Sequence, residues 1–285
     1  IFFIMKYRWF YYRKSSLLQI ALYRIKLFFL TKLRYCKFLF LYSASLNDLK
    51  KLKNSKKGKS AFVFANGPSL NRLSKKKIKE CNFDIFAMNK YINSNFPKPN
   101  FYVISDIGYF VKNNIEPENA SIYKKILKKN IKLFVPAELK DKINIEQAIS
   151  FCDVEDVCSN RKPDPTNSRN YFNLTALKTL SIATYLGYSK IYICGFDNTH
   201  VFKTYSDINN NLFYKLNHFY KSKKKIIDFI KYGVGSFGQQ LHNDFCYLDM
   251  DLFADLPQTK IINLDSDSLI TCFDKKTPLD IFKKK

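Results

Sequence analysis

The chain has 285 residues, with 48 Lys and Arg against 24 Asp and Glu, and a formal charge of +24. With 46% hydrophobic and 25% charged residues, the composition excludes an intrinsically disordered chain. Seven cysteines, an odd number with no C-x-x-C pair, argue against a disulfide-stapled secreted domain or a zinc ribbon and read as reduced thiols.

The charge is unevenly placed. Ile1 to Ser60 carries 15 basic residues and one acid, Asp48, whereas the remaining 225 residues carry 33 basic and 23 acidic ones. The surplus is mostly lysine, 41 Lys to 7 Arg, and four of the arginines (Arg8, Arg13, Arg24, Arg34) fall in this first segment. Richness in Lys, Asn, Ile, Phe and Tyr also fits the codon bias of an AT-rich genome, which supplies lysine without any partner.

In chain order, Met5 is a candidate initiator, and no secretory signal is expected: Leu17–Tyr23 is apolar, but charge resumes at Arg24 with no cleavage site following. The longest uncharged runs of this first segment, Ser15–Tyr23 and Phe38–Asn47, fall short of the ~18 apolar residues that span a bilayer. Residues 1–59 therefore read as a helical extension, basic and aromatic (Trp9, Tyr11, Tyr12, Phe28, Phe29, Phe38, Phe40). That mixture suits the surface of an anionic membrane and a peripheral position at the inner face of a bacterial cytoplasmic membrane. The alternative is an accessory helix packed on the domain with a solvated basic face. Lys50–Lys59 reads as a linker, and residues 60–285 as the main domain.

Short apolar runs predict strands at Ala61–Ala65, Phe83–Met88, Phe101–Ser105, Lys132–Val135, Lys190–Cys194 and Lys260–Leu264. Helices are expected over Leu70–Glu80, Ile122–Lys129 and Leu174–Leu186, the last closed by Gly187, and over Phe245–Ala254. Strands alternating with helices predict an α/β fold, a Rossmann-like α/β/α sandwich on a mostly parallel sheet. Residues 198–240 break the rhythm, with no good strand and with Gly233, Gly235 and Gly238 near their end, and read as a lid inserted after a strand.

Chemistry is expected where strands end. Asn66-Gly67-Pro68-Ser69 follows the first strand: Gly67 permits close backbone approach, Pro68 suits a first helical turn, and free amides there favour phosphate. The same turn also serves as a plain strand-to-helix connection. Asn89 ends the second strand, Ser105-Asp106 the third, and Gly195-Phe196-Asp197 the KIYIC strand. Tyr205, eight residues beyond Asp197, could donate a hydrogen bond to a leaving phosphate, with Tyr214 and Tyr220 as alternatives. Of three histidines, His200, His218 and His242, the last lies between the glycine-rich stretch and the Phe245–Ala254 run and is the candidate general base. Asp249-x-Asp251 and Asp265-x-Asp267 invite a metal, but i and i+2 on a helix do not share a face and no third ligand is apparent, so no metal is expected.

Together these landmarks resemble the bacterial lipooligosaccharide sialyltransferases, glycosyltransferase family 42. The likeness rests on Asn66–Leu70 (NGPSL), the strand-ending Asn89, Ala183–Tyr188 leading into KIYICGFD, Tyr205 eight residues past Asp197, and His242 standing 26 residues before Ser268-Leu269. It covers Ala61 to Leu269 as separated patches. It implies a GT-A-type fold and inverting transfer of sialic acid, or a related nonulosonic acid, from a CMP donor to a hydroxyl of a surface glycan. His242 would be the base and Tyr205 the partner of the leaving phosphate. Asn66, Gly67, Pro68, Ser69, Asn89, Ser105, Asp106, Asn173, Thr175, Gly195, Asp197 and Ser268 would bind substrate, without metal or cofactor and with a homo-oligomer as one arrangement. The chain departs from the family at Ser105-Asp106, at Asn173-Leu174-Thr175-Ala176 and at Thr199. Two other classes stay open: a pterin pyrophosphokinase-like or motility-accessory-type enzyme sharing the Gly-Pro-Ser turn, and a basic nucleic-acid-binding module, against which the scarcity of arginine argues.

Overall fold

The structure, a computed structural model, describes residues 17–110, 121–143, 145–156, 161–199, 202, 204–209, 212–215, 219, 226–228 and 246–282. Its centre is an eight-stranded sheet built from β1 (Ser60–Phe64), β2 (Asp84–Met88), β3 (Phe101–Val103), β4 (Lys132–Pro136), β5 (Ile149–Phe151), β6 (Lys190–Cys194), β10 (Lys260–Asn263) and β11 (Asp274–Lys275). The spatial order is β11-β10-β6-β1-β2-β3-β4-β5, and every pairing is parallel. The chain moves outward from β1 through β5, then returns to the other side of β1 with β6. The switch of direction therefore falls between β1 and β6.

Both faces of the sheet are covered, and alternation along each strand sorts residues between two cores. Ala61, Val63, Phe86, Met88, Phe101, Val103, Ile191, Ile193 and Ile261 point to one. Phe62, Phe64, Ile85, Ala87, Tyr102, Ile104, Tyr192, Cys194 and Ile262 point to the other. The first core is closed by the longest helix over the sheet, Thr175–Tyr185, through Ala176, Leu177, Leu180 and Ala183, and by the 3-10 segment Cys246–Phe253. The second is closed by the helices Lys75–Glu80 and Ile122–Lys128 through Ile78, Ile122 and Ile126, and by Leu139 of Ala137–Ile143. A further short helix spans Pro278–Phe282. The expected α/β class and mostly parallel sheet are what the chain forms.

Three local expectations differ. The helix expected over Leu70–Glu80 is split: Pro68–Arg72 is a 3-10 turn, Leu73 is extended, and Ser74 caps a new helix by accepting from the Lys77 amide at 3.4 Å. A serine at that position competes with the helix interior and starts a fresh one. The run expected as a helix over Phe245–Ala254 is 3-10 over Cys246–Phe253. The insertion, expected to hold no good strand, forms an antiparallel sheet of β7 (Thr204–Ser206), β8 (Leu212–Lys215) and β9 (Ile226–Asp228).

Among the described residues, the N-terminal part opens with α1 (Leu17–Tyr42). It lies against the domain through Phe38, which is buried with Leu46, Ala137 and Cys152. It is held by Lys32 Nζ to Asp156 at 2.7 Å and by the Tyr35 hydroxyl to Asn167 at 2.8 Å. Leu49 joins the same core as β1. The stretch Lys50–Lys59, expected as a linker, ends a short helix (Asn47–Lys51) and continues as turns pinned to the end of the Thr175–Tyr185 helix: the amides of Asn54 and Lys56 donate to the Tyr185 and Leu186 carbonyls at 3.1 and 2.8 Å. Gly187 ends that helix with φ +87°, and a Cβ there would meet Asn54 Cα at 2.9 Å. Among the described residues, no helix is long and apolar enough to cross a membrane.

Candidate functional site

Because all eight strands run parallel, their C-terminal ends line one edge, and the nominated residues at the ends of β1, β2, β3, β6 and β10 share it. At the switch point the loops after β1 and β6 are bound together. The Ala65 amide donates to Cys194 O and the Gly67 amide to Gly195 O, both at 2.9 Å. This approach explains both glycines. A Cβ on Gly67 would lie 1.7 Å from Asp197 Oδ2 and 2.6 Å from Gly195 O, while Gly195 has φ +79° and no room beside Ala65 O.

Asp197 is the keystone of this junction. Its Oδ1 accepts from the Ser69 amide and its Oδ2 from the Ser69 hydroxyl, both at 3.0 Å, and the Ser69 oxygen accepts in turn from the Gly195 amide at 3.0 Å. Burial, with Asp265 nearby, holds the Asp197 carboxyl above the usual range. Burial also pushes the neighbouring Cys194 thiol up to about 12, which leaves it a poor nucleophile. The arrangement revises one expectation. Pro68 has no N–H, the Ser69 amide belongs to Asp197, and the Leu70 amide donates to Gly67 O at 3.3 Å. The turn after β1 does not present the open amides that a phosphate needs.

Ser268 and the Asp265-x-Asp267 pair are likewise committed to structure. The Ser268 hydroxyl donates to Phe196 O at 2.9 Å and its oxygen accepts from the Ile270 amide at 3.2 Å. Arg72 bridges the two aspartates, Nη1 to Asp265 at 3.1 Å and Nη2 to Asp267 at 2.7 Å. The Arg72 hydrogen bond holds the Asp267 carboxyl below the usual range. Among the described residues, no three His, Cys, Asp or Glu side chains converge as a ligand set.

On the other side of β1 the structure brings together two nominated residues from separate elements. The Ser105 hydroxyl, after β3, lies 2.8 Å from the Thr175 hydroxyl at the start of its helix. Asn89 ends β2 at φ +51°, a conformation that asparagine tolerates, and its carbonyl accepts from the Tyr102 hydroxyl at 2.7 Å. Asp106 caps the next turn by accepting from the Gly108 amide at 2.8 Å, and Asn173 is exposed. Tyr205 lies on β7 and is exposed; Asn66 accepts at its carbonyl from the Phe219 amide at 3.1 Å. The Phe219 ring is buried between Tyr91 and Phe96, so this residue of the expected lid is seated on the rim. His242, His200, His218 and Tyr220 lie outside the described residues, as does the side chain of Tyr214.

Sequence reasoning missed a buried charged cluster one turn below Thr175. Lys178 Nζ is 2.5 Å from Asp153 Oδ2, and Arg169 Nε is 2.8 Å from Asp153 Oδ1. Two cations share one carboxylate, and desolvation holds the Lys178 ammonium below its usual pKa. It also missed Asn198 and Asn263, whose Oδ1 and Nδ2 atoms respectively are buried without a hydrogen-bond partner among the described residues. Asn263 ends β10 and Asn198 lies in the loop after β6, next to Asp197, and a position after a strand on this edge is the signal that could have found them.

No protein-family model and no curated protein matches the chain. Among solved structures it is similar to the sialyltransferase CST-II in complex with a trisaccharide acceptor and CMP. The identity is 14% and the TM-score 0.41, over 76% of this chain and 85% of that one. It is also similar to the sialyltransferase CstII from Campylobacter jejuni in complex with a substrate analogue, cytidine-5'-monophosphate. There the identity is 15% and the TM-score 0.35, over 76% of this chain and 84% of that one.

Proposed function

We propose that the chain is a glycosyltransferase that moves sialic acid, or a related nonulosonic acid, from a CMP donor to a hydroxyl of a surface glycan, with inversion and without metal. The observation that carries the reading is the shared edge. Polar residues at the ends of β1, β2 and β3 flank a direction switch, where open α/β sheets bind nucleotides. One of them, Ser105, meets Thr175 at a helix start. The donor is anionic, and the start of the Thr175–Tyr185 helix suits it better than the turn after β1. It begins an 11-residue helix, and the Lys178–Arg169–Asp153 cluster behind it carries a surplus positive charge.

In this reading His242 takes the proton of the acceptor hydroxyl as its oxygen attacks the anomeric carbon. The bond from that carbon to the CMP phosphate oxygen breaks, and the Tyr205 hydroxyl donates a hydrogen bond to the departing phosphate. Ser105, Thr175, Asn66 and Asn89 hold the donor. Asp197, Gly67, Pro68, Ser69, Gly195 and Ser268 shape the rim on which it rests.

The test is CMP release from CMP-sialic acid in the presence of EDTA and a glycan acceptor. The wild type turns over, His242→Ala loses about 100-fold or more, and Tyr205→Phe loses about tenfold. Full transfer by His242→Ala would remove the base assignment. Turnover that needs Mg²⁺ and ATP instead would favour a pyrophosphokinase-like reaction.

A further inference from the structure

The helix α1 has two faces of opposite use. Thr31, Phe38 and Tyr42, with Tyr35 beside them, lie on the side turned to the domain, where Thr31 and Phe38 are 5% and 2% exposed. On the opposite side Leu18, Leu22, Ile25, Phe29, Leu33 and Phe40 follow one another at steps of three, four or seven residues, which aligns them along one helical stripe. They are open to solvent: Leu22 is 57% exposed, Phe29 61%, Leu33 66% and Phe40 88%. A contiguous apolar stripe of this length on a helix whose other side is already docked marks a surface with a partner.

The charges on the helix choose that partner. Residues 17–42 include Arg24, Lys26, Lys32, Arg34 and Lys37 and no acid. Lys32 is turned to Asp156 of the domain. Lys26 and Lys37, eleven residues or three turns apart, fall along one flank of the stripe, with Arg34 just beyond. A second copy of this helix laid on the stripe would bring cations against cations with no carboxylate to pair them. Residues 1–16 add four more basic residues and no acid, so they supply no counter-charge either. A layer of anionic phosphates over an apolar interior matches both the stripe and its flank.

We infer that α1 lies in the plane of an anionic lipid surface, with Leu22, Phe29, Leu33 and Phe40 inserted among the acyl chains and Lys26, Lys37 and Arg34 at the headgroups. The helix is then an interfacial anchor lying along the membrane. Its docked side keeps the domain at a fixed orientation to the bilayer through Phe38, Tyr35 and Lys32. This inference is independent of the reaction assigned above.

The experiment uses the full chain, because removal of α1 would uncover Phe38 and the Asp156 carboxylate. Sedimentation is measured with vesicles of phosphatidylcholine containing one third phosphatidylglycerol, and with pure phosphatidylcholine vesicles. The wild type is expected to bind the anionic vesicles and to bind the neutral ones at least tenfold more weakly, with binding falling as salt rises. Leu22→Asn/Phe29→Ser/Leu33→Asn should lose about 100-fold or more in partition. Lys26→Gln/Lys37→Gln, which leaves the apolar stripe intact, should lose roughly 25-fold, about fivefold for each site. Both variants should keep the wild-type far-ultraviolet circular dichroism. Equal binding to neutral and anionic vesicles, unchanged binding of either variant, or absence of wild-type binding would overturn the inference. So would a concentration-dependent dimer that the stripe variant abolishes without any vesicle binding, since that outcome would assign the stripe to a second copy.

Discussion

Substitution of Gly67 by alanine tests the junction between the first and sixth strands. The backbone at Gly67 has φ −69°, which any residue can adopt, so the cost comes from space alone. A Cβ would sit 1.7 Å from Asp197 Oδ2 and 2.6 Å from Gly195 O, far inside contact distance. The carboxylate must therefore leave, and with it go two hydrogen bonds to Ser69, each about 1.5–3 kcal/mol because the acceptor is charged. Release of the carboxylate to water returns part of its desolvation cost. A net loss of about 3 kcal/mol is expected for Gly67→Ala and about 2 kcal/mol for Asp197→Ala. In the Asp197→Ala background the added methyl meets mainly Gly195 O, so the two substitutions should cost less together than separately by about 1 kcal/mol or more. Urea unfolding of the four proteins measures this, with an unchanged m-value as the check on two-state behaviour. A Gly67→Ala chain within about 0.5 kcal/mol of the wild type, or strict additivity with Asp197→Ala, would refute the argument.

Other outcomes follow from the same geometry. Asp153→Ala leaves Lys178 and Arg169 buried without their shared carboxylate and should destabilise by about 3–5 kcal/mol in urea unfolding. Because the folded-state pKa of Asp197 is raised, the folded chain holds a proton that the unfolded chain releases. The stabilisation from that proton is complete below the unfolded value and is lost as pH rises through the folded one. The stability of the wild type relative to Asp197→Asn should accordingly fall as pH rises above the ordinary carboxylate range; a flat difference would contradict the assignment. Arg72→Ala should destabilise by about 1–2 kcal/mol, mainly by leaving the buried Asp265 without its cation, whereas Asp267→Ala at the exposed end of the clamp should have a much smaller effect. Ser105→Ala and Thr175→Val should each weaken CMP affinity about five- to tenfold and lower unfolding stability by about 1 kcal/mol through loss of their mutual hydrogen bond.

The central strands were legible because a parallel sheet covered on both faces demands continuous apolar runs, and AFVFA, FDIFAM and KIYIC are such runs. β5 and β11, at the two edges of the sheet, have three and two residues and give no periodic signal, and neither was expected. The strands of the insertion were hidden by the same shortness. Strand ends located much of the candidate site, since the rule that ligands gather there needs only the strand positions. What each rim residue does was less legible. Asp197 is bound to Ser69, 128 positions away, and Arg72 to Asp265, 193 positions away. No local pattern announces such partners. The Asp-x-Asp spacing that suggested a cation is an arginine clamp, and the turn that suggested phosphate is closed by a carboxylate of the same chain.

The central claim is that the carboxyl edge of the sheet, where Ser105 after β3 meets Thr175 at its helix start, binds a cytidine nucleotide. Isothermal titration calorimetry with CMP in EDTA tests it most directly. The account predicts saturable binding at one site per chain, weakened about five- to tenfold by Thr175→Val, with no such binding for ATP under the same conditions. Absence of CMP binding to the wild-type chain, or CMP affinity unchanged in Thr175→Val, would contradict it.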